Sequence, residues 1–382
     1  MSTRSQFDDH HHPEENQQSE VSRRDFLRLA GVAVTSALVG ACKPKVPEEL
    51  SETTQKTGGS KVAQVAIAKI EDYNQDALDQ AVFELIDQLG GLKDVVKPGD
   101  TVAIKPNLTG GVKSGSVPGV SEIESFITHP HVVQALIKQV KAAGAKEVFI
   151  VEAAYEWESF TQWGYEEVAN KMEAKLIDLN DFKPYDDFVE ASVGDDSFIY
   201  PKFKMNKLLL DVDVFMSVSK MKNHYNAGVT HTMKNLYGLV PYRFYTITTG
   251  DSYRSGFHGT SDQTRTRLPR VIIDLNRIRK INFSLIDGIK TAEGGEGPWI
   301  ATFTPVKPGV LIAGKNPVAT DAVATAVMGH DPTANFPDEP FNRCDNHLNL
   351  AASAGLGTNR LEEIEVLGQP IEKVKYQFTP AR

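Results

Sequence analysis

The sequence predicts an α/β fold, a mostly parallel sheet covered by helices, as one body or two lobes, with a long irregular excursion at about 242–267. Three observations carry this. Short apolar runs such as VAQVAIA (62–68), TVAIK (101–105) and EVFIV (147–151) alternate with helical periodicity, as in QDALDQAVFELIDQL (75–89). The chain has 382 residues, 41% hydrophobic and 24% charged, enough to bury a large core. Polar residues directly follow the apolar runs, as they do where strands end in ligand-bearing loops.

Taken in order, a strand is expected at 62–68, a helix at 75–89, and a strand at 101–105 after the turn Lys97-Pro98-Gly99-Asp100. A helix at about 131–143 follows, with Thr128 as its cap and Pro130 in its first turn. Next come a strand at 147–151, a helix near 162–172 and a strand at 175–179; residues 182–210 are less regular and read as an antiparallel extension. The core pattern resumes as a strand at 212–218 and a helix at about 230–237. Residues 242–267 follow neither period and mix aromatic, Gly, Ser/Thr and Arg residues, the composition of a functional loop. A helix at about 269–280, strands at 282–287 and 309–313 and a helix at about 317–328 complete the reading.

The first sixty residues differ. Arg23-Arg24-Asp25-Phe26-Leu27 precedes an uncharged run, Leu29 to Ala41, too short to span a bilayer and ending at Cys42. The paired arginines resemble a twin-arginine export signal, and Val39-Gly40-Ala41-Cys42 resembles the box that directs lipidation of its cysteine. This predicts a signal peptide over 1–42, a polar tether over 43–60 and a body over 61–382. The body would be exported by the twin-arginine machinery and held on the extracytoplasmic side of a membrane through lipidated Cys42. Removal of residues 1–41 takes away four basic and six acidic side chains, moving the formal charge from −9 to −7, a balance that excludes a nucleic-acid binder. Cys344 alone remains in the body, so neither a disulfide nor a thiolate-ligated iron-sulfur cluster is expected.

The candidate site comes from polar residues at strand ends. Lys105-Pro106-Asn107 and Glu152 each follow a strand. Lys220-Met221-Lys222-Asn223-His224 follows a third, Asp287-Gly288 a fourth and Lys315-Asn316 a fifth. Residues 219–241 hold three lysines and two histidines, which would repel one another unless an anion or a carboxylate cluster sits among them. Lys222, His224 and Lys234 are therefore the catalytic candidates, with His224 placed for proton transfer. Lys105, Asn107, Lys220, Asn235 and Asn316 are the candidates for binding a small anion. Asp287, Glu293, Glu296 and Asp321 would either face these cations or hold a divalent metal through oxygen ligands. His224, His231 and His258 would suit a transition metal, but they lack zinc-site spacing. There is no P-loop, no GxGxxG after the first strand and no GxSxG elbow.

THPHVVQALIKQVKAAGAKEVFIVE (128–152), SKMKNHYNAGVTHTMKNLYGL (219–239), IDGI (286–289) and AGKNPVATDAVA (313–324) together resemble the domain of unknown function 362 family over nearly the whole body. The family's lysine-histidine pattern falls on Lys220, Lys222 and His224, and its Lys-Asn pair on Lys234-Asn235. Some members carry ferredoxin-type cysteine motifs; this chain has none. More distantly, His224-Tyr225-Asn226-Ala227-Gly228 with Lys234 resembles the segment of nickel-pincer lactate racemases that supplies a catalytic histidine and the lysine tethering the cofactor. This chain carries His231-Thr232 where that group has glycine. The expectation is an exported, membrane-anchored enzyme acting on a small anionic or carboxylate substrate. Two alternatives stay open: a non-catalytic solute- or cofactor-binding lipoprotein, and an accessory protein of an exported redox complex.

Overall fold

Alternate residues of each central strand face two different apolar layers, and this fixes the architecture. A computed structural model describes residues 62–382 apart from 113, 114, 116 and 248–252. The export and lipidation motifs at Arg23, Arg24 and Cys42 lie outside the described residues. The strands are β1 (Ala63–Lys69), β2 (Thr101–Lys105), β3 (Glu147–Glu152), β4 (Lys175–Asp178), β5 (Val189–Ser192), β6 (Lys202–Met205), β7 (Val214–His224), β8 (Gly228–Thr230), β9 (Phe283–Glu293), β10 (Thr304–Val306), β11 (Val310–Gly314) and β12 (Ile364–Gly368). Their main sheet runs β12-β1-β11-β9-β7-β2-β3-β4, with β8 and β10 as antiparallel additions to β7 and β9. Strands β9, β7, β2, β3 and β4 are mutually parallel, as are β1 and β12; β11 is antiparallel to both its neighbours.

On one face Val102, Ile104, Val148, Ile150, Val214 and Met216 pack against helices Gln75–Gln88 and Pro130–Ala142. On the other, Ala103, Phe149, Phe215 and Ile312 pack against helices Thr264–Ile278 and Pro317–Val327. Each fully buried Val, Leu or Ile contributes about 1.5–3 kcal/mol. The described residues fall in one compact unit, so the two-lobed alternative is not the arrangement adopted. The expected antiparallel extension is the β5–β6 hairpin; among its described residues the excursion holds short helical pieces at Tyr242–Phe244 and Ser255–His258, and its last residues already belong to the helix Thr264–Ile278. Pro130 opens its helix as expected, but His129, not Thr128, caps it; Thr128 instead donates to the carbonyl of Val218. Among the described residues no helix is long and apolar enough to cross a membrane.

Candidate functional site

The carboxyl ends of β2 and β3, the end of β7 and the short helix Thr232–Asn235 meet around a cavity of about 480 Å³. Lys105, Asn107, His224, Lys234 and Asn235 line it together, joined by Glu152 and Glu296. This is the crevice beyond strand ends where ligands of open α/β sheets collect.

The helix bearing Lys234 is too short to hold itself in place, and Asp321 anchors it. Its carboxylate, with no exposure, accepts from the Thr232 amide at 2.9 Å, the Thr232 hydroxyl at 2.5 Å and the Met233 amide at 2.9 Å. Burial pushes Asp321 up to about 7, while these hydrogen bonds pull the other way. Asn235 completes the frame. Its amide oxygen accepts from Lys105 at 3.1 Å and Asn107 at 3.2 Å, and its amide nitrogen donates to the Lys105 carbonyl and to Ser217.

The lysines differ sharply in how their charge is used. Lys105 donates to Glu152 at 2.7 Å, to Asn235 and to the carbonyl of Pro106, which exhausts its three protons; burial lowers its pKa and Glu152 opposes that. Lys234 has no hydrogen-bond or ion-pair partner among the described residues. Its ammonium stands 4.3 Å from the centroid of the Tyr237 ring, and the residue is only 7% exposed. Burial, assisted by Lys105 and Arg254, lowers it to about 8, against the pull of Glu296.

His224 accepts the Asn226 amide on Nδ1 at 3.1 Å, so the neutral ring carries its proton on Nε2. Burial and the charge of Lys234 hold its pKa well below the usual value. The 3.9 Å separation between His224 Nδ1 and Glu296 Oε2 is too long for a hydrogen bond, and Nδ1 is already an acceptor. His224 therefore faces the cavity as a hydrogen-bond donor. Glu296 in turn accepts the Tyr225 amide at 2.9 Å.

Sequence reasoning missed Arg254, which lines the cavity at 2% exposure. Its Nε donates to the Val240 carbonyl at 2.6 Å and Nη2 to the Ala153 carbonyl at 3.3 Å, leaving Nη1 without a partner among the described residues. His258, weighed above only as a metal ligand, also lines the cavity, lowered to about 4 by burial and then by Lys234, and its Nδ1 is buried without a partner among the described residues. The only signal for Arg254 was the irregular composition of 242–267. Three cations (Lys105, Lys234, Arg254) against two carboxylates (Glu152, Glu296) leave the described lining with one net positive charge.

Several candidates lie elsewhere. Strand β7 does not end at Val218 but continues to His224, so Lys220 and Lys222 are buried inside the sheet layer. Lys220 pairs at 2.9 Å with Asp287, its cross-strand neighbour on β9, and with Tyr73 at 2.9 Å. Lys222 donates to the carbonyls of Phe126 and Glu296, and burial lowers its pKa well below the usual value. Neither lines the cavity. Asn316 is at the opposite end of the sheet because β11 is antiparallel. Gly314 aligns with Ser284 at the start of β9, and Asn316 caps the following helix by accepting from the Ala319 amide. Of the four acidic candidates only Glu296 reaches the cavity. Asp287 pairs with Lys220, Glu293 accepts the Thr379 amide, and Asp321 anchors Thr232. Among the described residues no three His, Cys, Asp or Glu side chains are grouped to hold a metal ion, so the proposed oxygen-ligand metal site is not assembled.

The profile of the family described as domain of unknown function (DUF362) matches residues 102–326, which include every described residue of the frame around Lys234. A thylakoid-associated protein of Synechocystis sp. is 28% identical over 271 residues, covering 71% of this chain and 76% of that protein. Among solved structures, the lactate racemase apoprotein of Thermoanaerobacterium thermosaccharolyticum aligns at 14% identity with a TM-score of 0.39, over 75% of this chain and 60% of its own. A Thermotoga maritima protein aligns at 16% identity and 0.33, over 64% and 56%. With more than half of its length matched by the family profile, the chain belongs to the DUF362 family.

Proposed function

We infer that the body is an enzyme that takes a small carboxylate-bearing substrate into the cavity at the ends of β2, β3 and β7. The observation that carries this reading is Lys234, a buried residue whose ammonium has no partner among the described residues, beside an Arg254 whose Nη1 is also unspent among them. A buried cation left without acceptors is costly to keep, and an anionic ligand supplies what the protein does not. His224 Nε2–H can donate a hydrogen bond there, and the free amine fraction of Lys234 can accept a proton.

The body's location rests on the motifs at Arg23-Arg24 and Cys42, which support twin-arginine export and a lipid anchor on the extracytoplasmic side. Thylakoid association of the Synechocystis relative supports a membrane-held body. Thermal-shift and calorimetric screening of the purified protein against acetate, lactate, pyruvate, succinate, phosphate and a neutral amide tests the site. Selective stabilisation by carboxylates, lost in Lys234→Met, is expected. Equal response to the neutral amide would sink the reading, and carboxylate binding with no turnover of any bound compound would favour a solute-binding protein.

A further inference from the structure

We propose that Lys234 is a carbonyl-condensing residue: its amine attacks the carbonyl carbon of a small 2-oxo acid whose carboxylate is held by Arg254, giving a protonated imine. This rests on the anionic site inferred above and goes beyond it, because a residue that merely binds anions need not lose a proton.

Four features single out Lys234. Among the described lysines lining the cavity, Lys105 has all three protons committed, whereas Lys234 has none. Its Nζ is held over the face of Tyr237, a contact that fixes position without supplying an acceptor for its protons. Its surroundings disfavour the ammonium form. With a pKa of about 8, roughly a tenth of the amine is free at neutral pH, against roughly three parts in ten thousand for an ordinary lysine. Finally, Arg254 Nη1 is unspent and close enough to Lys234 to perturb it, so a substrate carboxylate has its own anchor and does not need the nucleophile.

The chemistry balances within these groups. The nitrogen lone pair forms the C–N bond as the carbonyl π bond breaks towards oxygen, and one of the two amine protons moves to that oxygen, to which His224 Nε2–H can donate a hydrogen bond from the cavity lining. The carbinolamine hydroxyl then takes the proton that the Lys234 ammonium gave up on becoming free amine and leaves as one water molecule as the C=N bond forms. The imine nitrogen stays protonated, so the positive charge that attracts the carboxylate is conserved and no oxidant or reductant is consumed.

Trapping tests this. The full chain is incubated with pyruvate and borohydride, which delivers hydride to the imine carbon, and is examined by intact mass and peptide mapping. The expected result is a gain of one pyruvic acid less one oxygen atom, mapped to Lys234. Lactate, which has no carbonyl carbon to condense, should give no adduct. In Lys234→Arg, shown by its melting profile to be folded, the yield at this site should fall to background. Calorimetric binding of pyruvate without a trapped adduct would overturn the condensation while leaving the anion site standing. Failure to bind pyruvate or any other carboxylate would overturn both. Adduct formation in Lys234→Arg equal to that of the parent would also defeat the assignment.

Discussion

Lys105 Nζ lies 2.7 Å from Glu152 Oε2, and this ion pair rests directly against the backbone of Gly238 with almost no exposure. The pair is the rigid floor of the cavity. By neutralising Lys105 it leaves Lys234 and Arg254 as the cations with unspent capacity.

A methyl group at Gly238 would come within 1.9 Å of Glu152 Oε1 and 2.9 Å of Lys105 Nζ. Gly238→Ala is therefore expected to destabilise the protein by about 1–3 kcal/mol, the range for overpacking a well-filled interior, and to weaken carboxylate binding. Urea denaturation alongside calorimetry checks both; unchanged stability would mean that the pair is not packed as described.

Lys220 and Asp287 form a second buried pair, and neither residue lines the cavity. Lys220→Met should cost about 3–5 kcal/mol because it strands the Asp287 carboxylate, and adding Asp287→Asn should recover part of the loss. A denaturant series on both variants measures this, and a ligand-binding defect without a stability loss would argue that Lys220 serves the site after all.

Lys234, at about 8 in the fold against 10.5 when free, sets the pH response. Affinity for lactate, which has no carbonyl to condense, should fall by roughly tenfold per pH unit once the pH passes about 8, as the ammonium is lost. The stability sign is opposite. Between about 8 and 10.5 the unfolded chain binds the extra proton, so the cost of burying the charge is fully present below about 8 and is relieved as pH rises through that window. In Lys234→Met both slopes should flatten. A pH-independent affinity in the parent protein would contradict the assignment.

Among the described residues the Asp321 carboxylate bonds to Thr232 and Met233, and acts on the site through them. Asp321→Asn replaces one acceptor oxygen with a donor facing a backbone amide or the Thr232 hydroxyl, and should cost about 1–3 kcal/mol. It should also loosen the helix carrying Lys234, so carboxylate affinity drops while the pH midpoint set by Lys234 persists. Retained affinity in a destabilised variant would show that the helix is held by other contacts.

Replacing Arg23 and Arg24 together with lysine should block export, and Cys42→Ser should release a soluble form. Fractionation that is identical for parent and both variants would rule out the proposed anchor.

How much of this was legible in sequence follows from what each pattern can encode. The β-α alternation was readable, and with it the strand-end positions of Lys105, Asn107 and His224 and the nearby Lys234 and Asn235, because period and order survive in one dimension. Strand direction does not. The apolar run at 310–314 reads the same whether β11 is parallel or antiparallel, so Asn316 was expected at the wrong end of the sheet. The length of β7 was hidden too. Lysines rarely continue a buried strand, and the acceptors supplied by Asp287, Tyr73, Ile123, Phe126 and Glu296 make it tolerable for Lys220 and Lys222. Arg254 was invisible because its place depends on carbonyls of Val240 and Ala153 brought in from separate segments.

The central claim, that Lys234 and Arg254 form an anion site in the cavity, is tested most directly by anomalous scattering from a crystal soaked in iodide. The account predicts an iodide peak in the cavity, in contact with Lys234 Nζ or Arg254 Nη1, that disappears in Lys234→Met. Iodide bound only at exposed surface lysines, with the cavity empty of it in the parent protein, would contradict it.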